Sequence, residues 1–452
     1  MSAHQVDDTT PVLAHITTAR WFAGKGRRAE LVSVTPLPWV AEPGPAGPGV
    51  RFEIAGVRYP DDGDADVEWY QLAIAYRSEP AAELQHALVA ERSDDTYGNL
   101  FAYDAMQDPA ALRLVLAALL AERTASGATG SVRFQLSSAQ GLAPDLEPVV
   151  YTGQQSNTSV MFGDTAMVKF FRRLELGRNI DIEVHHALNT AGVADVAGLF
   201  GWVEGTWVID GEPRTADLAM AVEKLAYAED GWGLALASIA SGAGFTEHAR
   251  ALGVALAEIH HALAAAFPTR EQAGSDVAAV MTARLHRAAA TAEALGPYES
   301  GLTGLFAGLD GRQLPAQRVH GDFHLGQTLH TPAGWKIIDF EGEPAKSLAE
   351  RVVPDSIGRD IAGMLRSFDY AAASVPGPGS ARWAQDCREA FLAGYASLAT
   401  GSAGPSPEQD TAVLDAYEAD KAIYEVVYEA RNRPDWVEIP LAAVAVLATD
   451  SR

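Results

Sequence analysis

Alternation of apolar and polar positions indicates that the first 90 residues are rich in β-strand. In one stretch, apolar side chains recur at every second position, namely Tyr70, Leu72, Ile74 and Tyr76. This period predicts a half-buried strand. The proline- and glycine-rich run over residues 43–49 predicts a loop. We therefore predict a small strand-rich domain over residues 1–90.

The next part of the chain begins with a predicted helix and continues as short strands. Asp108 followed by Pro109 is typical of a helix start, and the leucines up to residue 123 recur at helical spacing. Short apolar runs bounded by turn residues predict strands over 132–134, 148–151, 159–162, 166–170 and 219–222. With a helix predicted over 181–190, residues 91–222 form a strand-rich lobe.

Helical periodicity dominates the rest of the chain. Apolar residues recur at helical spacing over 246–266, 277–295, 356–372, 381–398 and 411–431. The low-complexity pieces over 376–380 and 401–407 are predicted to be loops between helices. Residues 223–452 are therefore predicted to form a helical lobe, and the fold class is α+β.

An excess of acidic residues narrows the possible partners. The chain has 59 Asp and Glu against 34 Lys and Arg, and this net charge of -25 repels nucleic-acid backbones and anionic lipid surfaces. We expect no nucleic-acid partner and no membrane partner. The single cysteine, Cys387, excludes an internal disulfide, and we see neither a leader pattern nor an apolar run of about 18 residues. We expect a cytoplasmic protein and a monomer.

The strongest chemical signal is a run of residues from 319 to 341. Phosphoryl transfer needs a carboxylate beside the attacking hydroxyl and oxygen ligands for magnesium. Asp322 is the candidate base, and Gln327 follows at the step that separates the aspartate from the metal-binding asparagine in protein kinases. Asp339 ends an apolar strand, so Gln327 and Asp339 are the candidate metal ligands. We expect His320 to hold the loop, and His324 to be a cap, a solvent-facing residue or a substrate contact.

A kinase also needs a cation and hydrogen-bond donors for the nucleotide phosphates. Lys169 lies in the predicted strand over 166–170, which follows a polar turn over 153–159. The candidate donors in this turn are Ser156, Asn157 and Thr158. Glu183, on the next predicted helix, is the expected ion-pair partner of Lys169, and Glu175 is a competitor. The alternative is that Lys169 is an ordinary edge-strand lysine.

The strand over 219–222 leads into a candidate hinge. Glu223 and Leu225 follow this strand, and we predict that their backbone groups bind an adenine edge. The chain has no Walker A sequence and no G-x-G-x-x-G loop. Nucleotide binding is therefore predicted to depend on the polar turn, Lys169 and this hinge.

A second dense cluster of polar and aromatic residues lies near the C-terminal end of the chain. Sugars are bound by such a mixture, since charged groups bind paired hydroxyls and aromatic faces cover the ring. Helical spacing places much of the cluster on neighbouring faces of one predicted helix. The predicted sugar contacts are Asp322, His324, Asp420, Lys421, Tyr424, Glu425, Tyr428, Arg431 and Trp436. The alternative is a solvated helix with internal salt bridges.

Together these residues resemble the actinobacterial maltokinases, relatives of the aminoglycoside phosphotransferases. The resemblance runs nearly end to end. It rests on residues 20–27, 155–159, 169, 320–327, 338–344, 360–368 and 424–436. The segments that contain Asp322 and Asp339 are common to the superfamily, whereas Trp21 and the predicted C-terminal helix with Tyr424 and Tyr428 are typical of maltokinases. One departure is that Asn179 is not followed by the expected proline, which puts the start of the next helix in doubt.

The resemblance implies a two-lobe protein-kinase-like fold with an additional N-terminal strand-rich cap domain. It implies transfer of the γ-phosphate of ATP to the anomeric hydroxyl of maltose, with Mg²⁺ as cofactor. The product, maltose 1-phosphate, would feed α-glucan and glycogen synthesis. Carried over by position, Asp322 is the base, Gln327 and Asp339 bind Mg²⁺, and Lys169 and Glu183 position the phosphates.

Other acceptors and other functions are alternatives. A kinase of glucosamine or of an aminoglycoside would share the superfamily motifs, because only the C-terminal helix and nearby loops contact the acceptor. A cationic aminoglycoside would require a wall of carboxylates, whereas Lys421, Arg431 and Arg433 are interspersed among the acids here. A pseudokinase is disfavoured because the base, the lysine and the metal aspartate are all present.

Overall fold

The computed structural model describes residues 9–45, 47–62, 67–153, 156–343, 346–399 and 411–450. The chain forms two compact units. The first comprises Met1–His186 and Gly198–Ala226, and the second comprises Ala187–Ala197 and Tyr227–Arg452. The predicted strand-rich domain and most of the predicted strand-rich lobe thus belong to one unit, and the predicted helical lobe makes up most of the other.

As predicted, the first half of the chain is rich in strands and the second half is mainly helical. Among the described residues, the α-helices are α1 (Thr9–Thr18), α2 (Pro109–Leu120), α3 (Ile180–Thr190), α4 (Gly231–Ser241), α5 (Thr246–Ala266), α6 (Gly274–Ala289), α7 (Glu299–Ala307), α8 (Leu348–Arg351), α9 (Gly358–Ser374), α10 (Ser380–Ala399), α11 (Thr411–Asn432) and α12 (Glu438–Asp450). The strands of the first unit are β1 (Glu30–Pro36), β2 (Gly49–Arg58), β3 (Glu68–Arg77), β4 (Leu88–Asp94), β5 (Gly98–Asp104), β6 (Thr124–Gly127), β7 (Gly130–Leu136), β8 (Pro148–Val150), β9 (Thr158–Phe162), β10 (Ala166–Phe170), β11 (Arg173–Leu174), β12 (Leu199–Ile209) and β13 (Glu212–Glu223). Those of the second unit are β14 (Glu229–Asp230), β15 (Arg270–Ala273), β16 (Gln313–Ala316), β17 (Thr328–Thr331) and β18 (Gly334–Ile337).

The first sheet of the first unit has the strand order β1-β2-β3-β5-β4, and β11 also pairs with β3. It continues to Asp104, past the predicted domain limit at residue 90. The expectation that β3 is half-buried is wrong, because its central residues are buried on both faces. On one face, Tyr70 belongs to a buried hydrophobic cluster that also contains Val12 and Ile16 of α1. On the other face, the side chain of Gln71 donates a hydrogen bond to the Leu218 carbonyl in β13.

The second sheet of the first unit has the strand order β6-β7-β12-β13-β10-β9-β8. The predicted strands here are confirmed, and so is the start of α2, where Asp108 accepts hydrogen bonds from the first turn. The sequence pattern does not predict β12. Residues Leu199 to Val203 are buried on both faces, and a strand buried in this way has no apolar-polar alternation to detect.

The second unit is built mainly of helices, with α5 packed against α10 and α9 against α11. The predictions of α5, α9, α10 and α11 are confirmed. The helix predicted to continue to residue 295 ends at Ala289, and a 3-10 turn follows at Glu293–Tyr298. The sequence analysis does not predict α4 and α12, because they are apolar on most sides and lack a polar face. The loop predicted over 401–407 lies outside the described residues.

A small sheet with the order β14-β17-β18 lies between the segments of the second unit that contain Gln327 and Asp339, the predicted metal ligands. The hairpin β17-β18 begins directly after Gln327 and ends shortly before Asp339. It therefore brings Gln327 and Asp339 close together. In the described ranges, none of the helices combines the length and the apolar character needed to cross a membrane.

Candidate active site

Asp322 lies in a loop of the second unit between β16 and a 3-10 turn at Leu325–Gln327. Gly321 precedes it with a φ of 87°, a left-handed conformation that glycine adopts without steric cost. On the other side, Gly363 of α9 faces the loop, and a Cβ there would clash with the carbonyl oxygen of Phe323. The loop therefore passes so close to α9 that position 363 has no room for a side chain.

A buried carboxylate on α9 holds the backbone of this loop. Asp360 is fully buried, and it accepts hydrogen bonds from the N–H groups of His320 at 2.7 Å and of Gly321 at 2.8 Å. Its third partner is His260 Nε2 at 2.9 Å, and His260 Nδ1 in turn contacts Tyr395 Oη. Burial alone would raise the pKa of Asp360, but the hydrogen bond and charge of His260 lower it below its usual value.

The two histidines of the loop have structural contacts. His320 is buried, and its Nε2 donates to the Ile338 carbonyl at 3.0 Å, so it holds the loop as expected. His324 Nδ1 accepts a hydrogen bond from the Gly326 N–H at 3.0 Å and thereby caps the 3-10 turn. Burial lowers the pKa of His324, which agrees with a neutral ring that can accept this bond.

The two predicted metal ligands lie next to each other. The side-chain amide of Gln327 donates a hydrogen bond of 3.3 Å to Asp339 Oδ2. Asp339 has a φ of 67°, an unusual conformation for a residue other than glycine and one that often marks functional positions. An amide and a carboxylate side by side supply the hard oxygen donors that Mg²⁺ prefers. The donor set therefore fits the predicted metal.

Lys169 lies in the first unit, on β10 between β9 and β13. Its Nζ is 3.5 Å from Asp181 Oδ2 on α3, a partner that the sequence analysis did not identify. The predicted pairing of Lys169 with Glu183, two residues further along α3, stays a prediction. The doubt about the start of α3 is removed, because Asn179 Oδ1 accepts a hydrogen bond from the Ile182 N–H as a regular helix cap.

The polar turn before β9 contacts a buried arginine. Asn157 Oδ1 accepts a hydrogen bond from the Arg172 backbone N–H at 3.3 Å, and Thr158 Oγ1 accepts one from Arg172 Nε at 2.8 Å. Ser156 is exposed. Because Arg172 engages the acceptor oxygens of Asn157 and Thr158, the N–H and O–H donors of these two side chains are the groups suited to an anion.

The predicted hinge is the end of β13 and the residues after it. The backbone N–H of Glu223 donates to the Gly198 carbonyl at 2.7 Å, and that of Lys224 donates to the Thr165 carbonyl at 2.9 Å. Leu225 is half-buried. The N–H of Glu223 is therefore used within the unit, and an adenine edge would have to use other backbone groups of this segment.

An aromatic cavity of about 440 Å³ lies next to Asp322 in the second unit. It brings together most of the predicted sugar contacts, namely Asp322, His324, Lys421, Tyr424, Glu425, Tyr428 and Trp436. Trp232 of α4 and Tyr370 of α9 also line it, and neither was predicted from the sequence. The rings of Tyr370 and Trp436 are stacked with centroids 6.5 Å apart, and those of Tyr424 and Tyr428 are 6.3 Å apart.

Among the described residues, three carboxylates line the aromatic cavity, and each of them is paired with a cation. Asp322 Oδ1 lies 3.0 Å from Lys421 Nζ. Glu425 Oε2 lies 2.9 Å from a nitrogen of Arg366, which is buried, and Glu429 Oε1 lies 2.6 Å from one of Arg433. Burial would raise the pKa of Asp322, but the charge of Lys421 and its hydrogen bond lower it below its usual value. The cavity thus presents charged groups that already neutralise one another.

Asp420 and Arg431 line a different cavity, of about 490 Å³. Asp420 is buried, and its Oδ2 accepts a hydrogen bond of 2.7 Å from Arg284 of α6. The two cavities share Asp322, Gly363, Lys421 and Tyr424. We call the second one the arginine cavity, because Arg284, Arg287, Arg359 and Arg431 line it. Both cavities therefore open onto the candidate base.

Comparisons with known proteins agree with these features. Residues 15–108 match the maltokinase N-terminal cap domain, and residues 228–401 match the phosphotransferase enzyme family. A glucosamine kinase of Streptacidiphilus jiangxiensis is 30% identical over 357 residues, which are 72% of this chain and 78% of that protein. A glucosamine kinase of Mycolicibacterium smegmatis is 28% identical over 322 residues, which are 66% of this chain and 78% of that protein.

Solved structures show the same fold. A glucosamine kinase in complex with glucosamine, ADP and inorganic phosphate has a TM-score of 0.68 at 21% identity, covering 99% of this chain and 100% of that one. A further crystal form of glucosamine kinase has a TM-score of 0.67 at 22% identity, covering 99% of both chains. The fold is thus kinase-like with an N-terminal cap domain. The chain belongs to the family of ATP-dependent sugar kinases that join a maltokinase N-terminal cap domain to a phosphotransferase domain.

Proposed function

We propose that the protein is a maltokinase, which transfers the γ-phosphate of ATP to the anomeric hydroxyl of maltose and so supplies maltose 1-phosphate for α-glucan and glycogen synthesis. The observation that carries the proposal is the pairing of the three described carboxylates that line the aromatic cavity, each with a lysine or an arginine. An ammonium group on the acceptor would have to break one of these pairs. A neutral sugar needs no such exchange.

The size of the site supports a disaccharide. Cavities of about 440 and 490 Å³ share Asp322 and Tyr424, so together they offer room for two sugar rings next to the base. The stacked aromatic side chains suit the C–H face of one ring. In the arginine cavity, Asp420 and Arg431 offer an acceptor and donors for the hydroxyls of a second ring. Residues of one chain line both cavities, so the proposed reaction needs only a monomer.

Asp322 is proposed as the base that orients the acceptor hydroxyl and takes its proton. Gln327 and Asp339 would hold Mg²⁺, which neutralises negative charge on the phosphates when it is bound. In the first unit, Lys169 would bind nucleotide phosphate, with Asp181 and Glu183 on α3 to orient it. Ser156 and the donors of Asn157 and Thr158 would bind phosphate oxygens. ATP as co-substrate and a chain with one cysteine support a cytoplasmic location.

Glucosamine is the second candidate acceptor. It is favoured by the two relatives named as glucosamine kinases, which are 28% and 30% identical to this chain. The charge pairing in the aromatic cavity argues against it, because the ammonium of glucosamine would meet Lys421 and Arg433 there.

The experiment that tests the proposal is a coupled ADP-release assay with ATP and Mg²⁺. Maltose, glucose, glucosamine and an aminoglycoside would be compared by kcat/KM, and the product would be identified by mass spectrometry and phosphorus NMR. We expect the highest kcat/KM with maltose and a phosphate on its anomeric oxygen. A clear preference for glucosamine would overturn the maltokinase proposal and favour the second candidate.

A further inference from the structure

Lys421 forms an ion pair with the proposed base. It lies on α11, 99 residues from Asp322 in sequence, and its Nζ is 3.0 Å from Asp322 Oδ1. The side chains of Lys421 and Asp322 are 23% and 22% exposed. The pair is therefore largely shielded from solvent, where an ion pair is stronger than on an open surface.

The surroundings favour the charged form of both partners. Burial would lower the pKa of Lys421, but the charges of Asp322, Glu425 and Glu343 raise it above its usual value. Tyr424, one turn along α11, places its ring 5.5 Å from the ammonium. Asp322 also faces the rings of His324 and His320 of its own loop. An ammonium and a carboxylate thus persist together across neutral pH.

We propose that Lys421 is a positioning residue for the base: its ammonium holds Oδ1 of Asp322 so that Oδ2 is the oxygen presented to the acceptor hydroxyl. This inference rests on the proposed role of Asp322. It differs from the expectation that Lys421 is a sugar contact, because Lys421 acts through Asp322.

The proposed step balances without a further reactant. The acceptor oxygen forms a bond to the γ-phosphorus, the bond from that phosphorus to the β,γ-bridging oxygen breaks, and ADP leaves with the electron pair. The hydroxyl proton passes to Oδ2 of Asp322. Lys421 keeps its proton throughout, so its charge opposes the protonation of Asp322 at any earlier stage.

A pH profile separates this role from a merely structural one. In Lys421→Met, the carboxylate loses its cation, so the pKa of Asp322 rises and the acidic limb of kcat/KM moves to higher pH. We expect a fall in kcat of about 10- to 100-fold near pH 6 that becomes smaller toward pH 8. Lys421→Arg keeps the charge, and its acidic limb should stay near that of the wild type.

The acceptor for these assays is whichever sugar the wild type phosphorylates best, so failure of the maltose assignment does not affect the test. Arg382→Met is the matched control, because it removes a cation of an exposed ion pair on α10 in the same unit. Thermal unfolding and ATP binding would confirm that each variant is folded. In an Asp322→Asn background, Lys421→Met should cause little further loss.

Three outcomes would overturn the inference. A loss of activity in Lys421→Met that is the same at every pH would indicate a structural role only. An increase in the KM for the sugar with unchanged kcat and an unchanged acidic limb would make Lys421 a sugar contact. If Asp322→Asn itself retains substantial turnover, the assignment of the base is at fault, and the role proposed for Lys421 fails with it.

Discussion

The backbone N–H of Gly321 donates a hydrogen bond of 2.8 Å to Oδ1 of Asp360, 39 residues further along the chain. Because Gly321 directly precedes the proposed base, a buried carboxylate on α9 determines where Asp322 lies. The family resemblance includes Asp360 but assigns it no role. In the structure, Asp360 holds the backbone of the loop that carries Asp322.

Asp360→Asn should both destabilise the protein and lower its activity. An amide can accept from Gly321 or His320 only through its single oxygen, and it places an N–H₂ group against another donor. Loss of a buried, charge-assisted bond costs about 1.5–3 kcal/mol, so the midpoint of thermal unfolding should fall by several degrees. Asp386→Asn, which breaks the ion pair of Asp386 with the exposed Arg382 on α10, is the control and should change the midpoint little. An unchanged midpoint for Asp360→Asn would contradict this role.

Asp360 should also contribute to the pH dependence of stability. Its pKa is lowered in the folded protein, so its contribution is fully present above the unfolded value of about 3.9 and is lost as pH falls through the lower folded value. Wild type should therefore lose more stability between about pH 5 and pH 3 than Asp360→Asn does. Thermal unfolding measured across this range checks the difference, and parallel curves would count against it.

Asp322→Ala should abolish phosphoryl transfer and leave nucleotide binding nearly intact. Removal of a general base typically lowers kcat by about 10²–10⁴-fold. The residues proposed to bind the nucleotide do not include Asp322, and their role does not require a contact with it. Calorimetric titration with ATP and Mg²⁺ should therefore give an affinity close to that of the wild type. Substantial residual turnover would remove Asp322 as the base.

Trp436→Ala should weaken binding of the sugar without affecting ATP. The stacking of Trp436 on Tyr370 supports the wall of the aromatic cavity, and an aromatic contact is worth about 1.5 kcal/mol. The KM for the sugar should therefore rise about tenfold. The KM for ATP measured in the same assays is the internal control, and an equal rise in both would point to a general disturbance of the fold.

Gly363→Ala should destabilise the protein although alanine favours helices. The Cβ of an alanine at position 363 would clash with the carbonyl oxygen of Phe323. Overpacking of this kind lowers the free energy of unfolding by about 1–3 kcal/mol. The matched control is Gly304→Ala in α7, where a Cβ meets nothing within 4 Å. That change should stabilise the protein by about 0.5–1 kcal/mol. Thermal unfolding of both variants should show shifts of opposite sign.

Local signals in the sequence were sufficient for much of the fold. The cap at Asp108, the helical spacing of α5 and the strand around Lys169 depend on neighbours within a few residues, and all three are confirmed. Segments that are apolar on both faces or on all sides, such as β12 and α12, were missed because they have no alternation to detect.

The candidate site divides in the same way. The sequence by itself determined the phosphotransfer chemistry, since Asp322, Gln327 and Asp339 fall within one short run whose spacing is informative. Only the tertiary structure decided that Lys421 pairs with Asp322, that Asp360 holds the loop and that Tyr370 stacks on Trp436. These partners lie 39 to 99 residues apart, and the packing of α9 and α11 brings them together. Spacing along the chain carries no information about such contacts, because they depend on how whole helices bury their apolar faces.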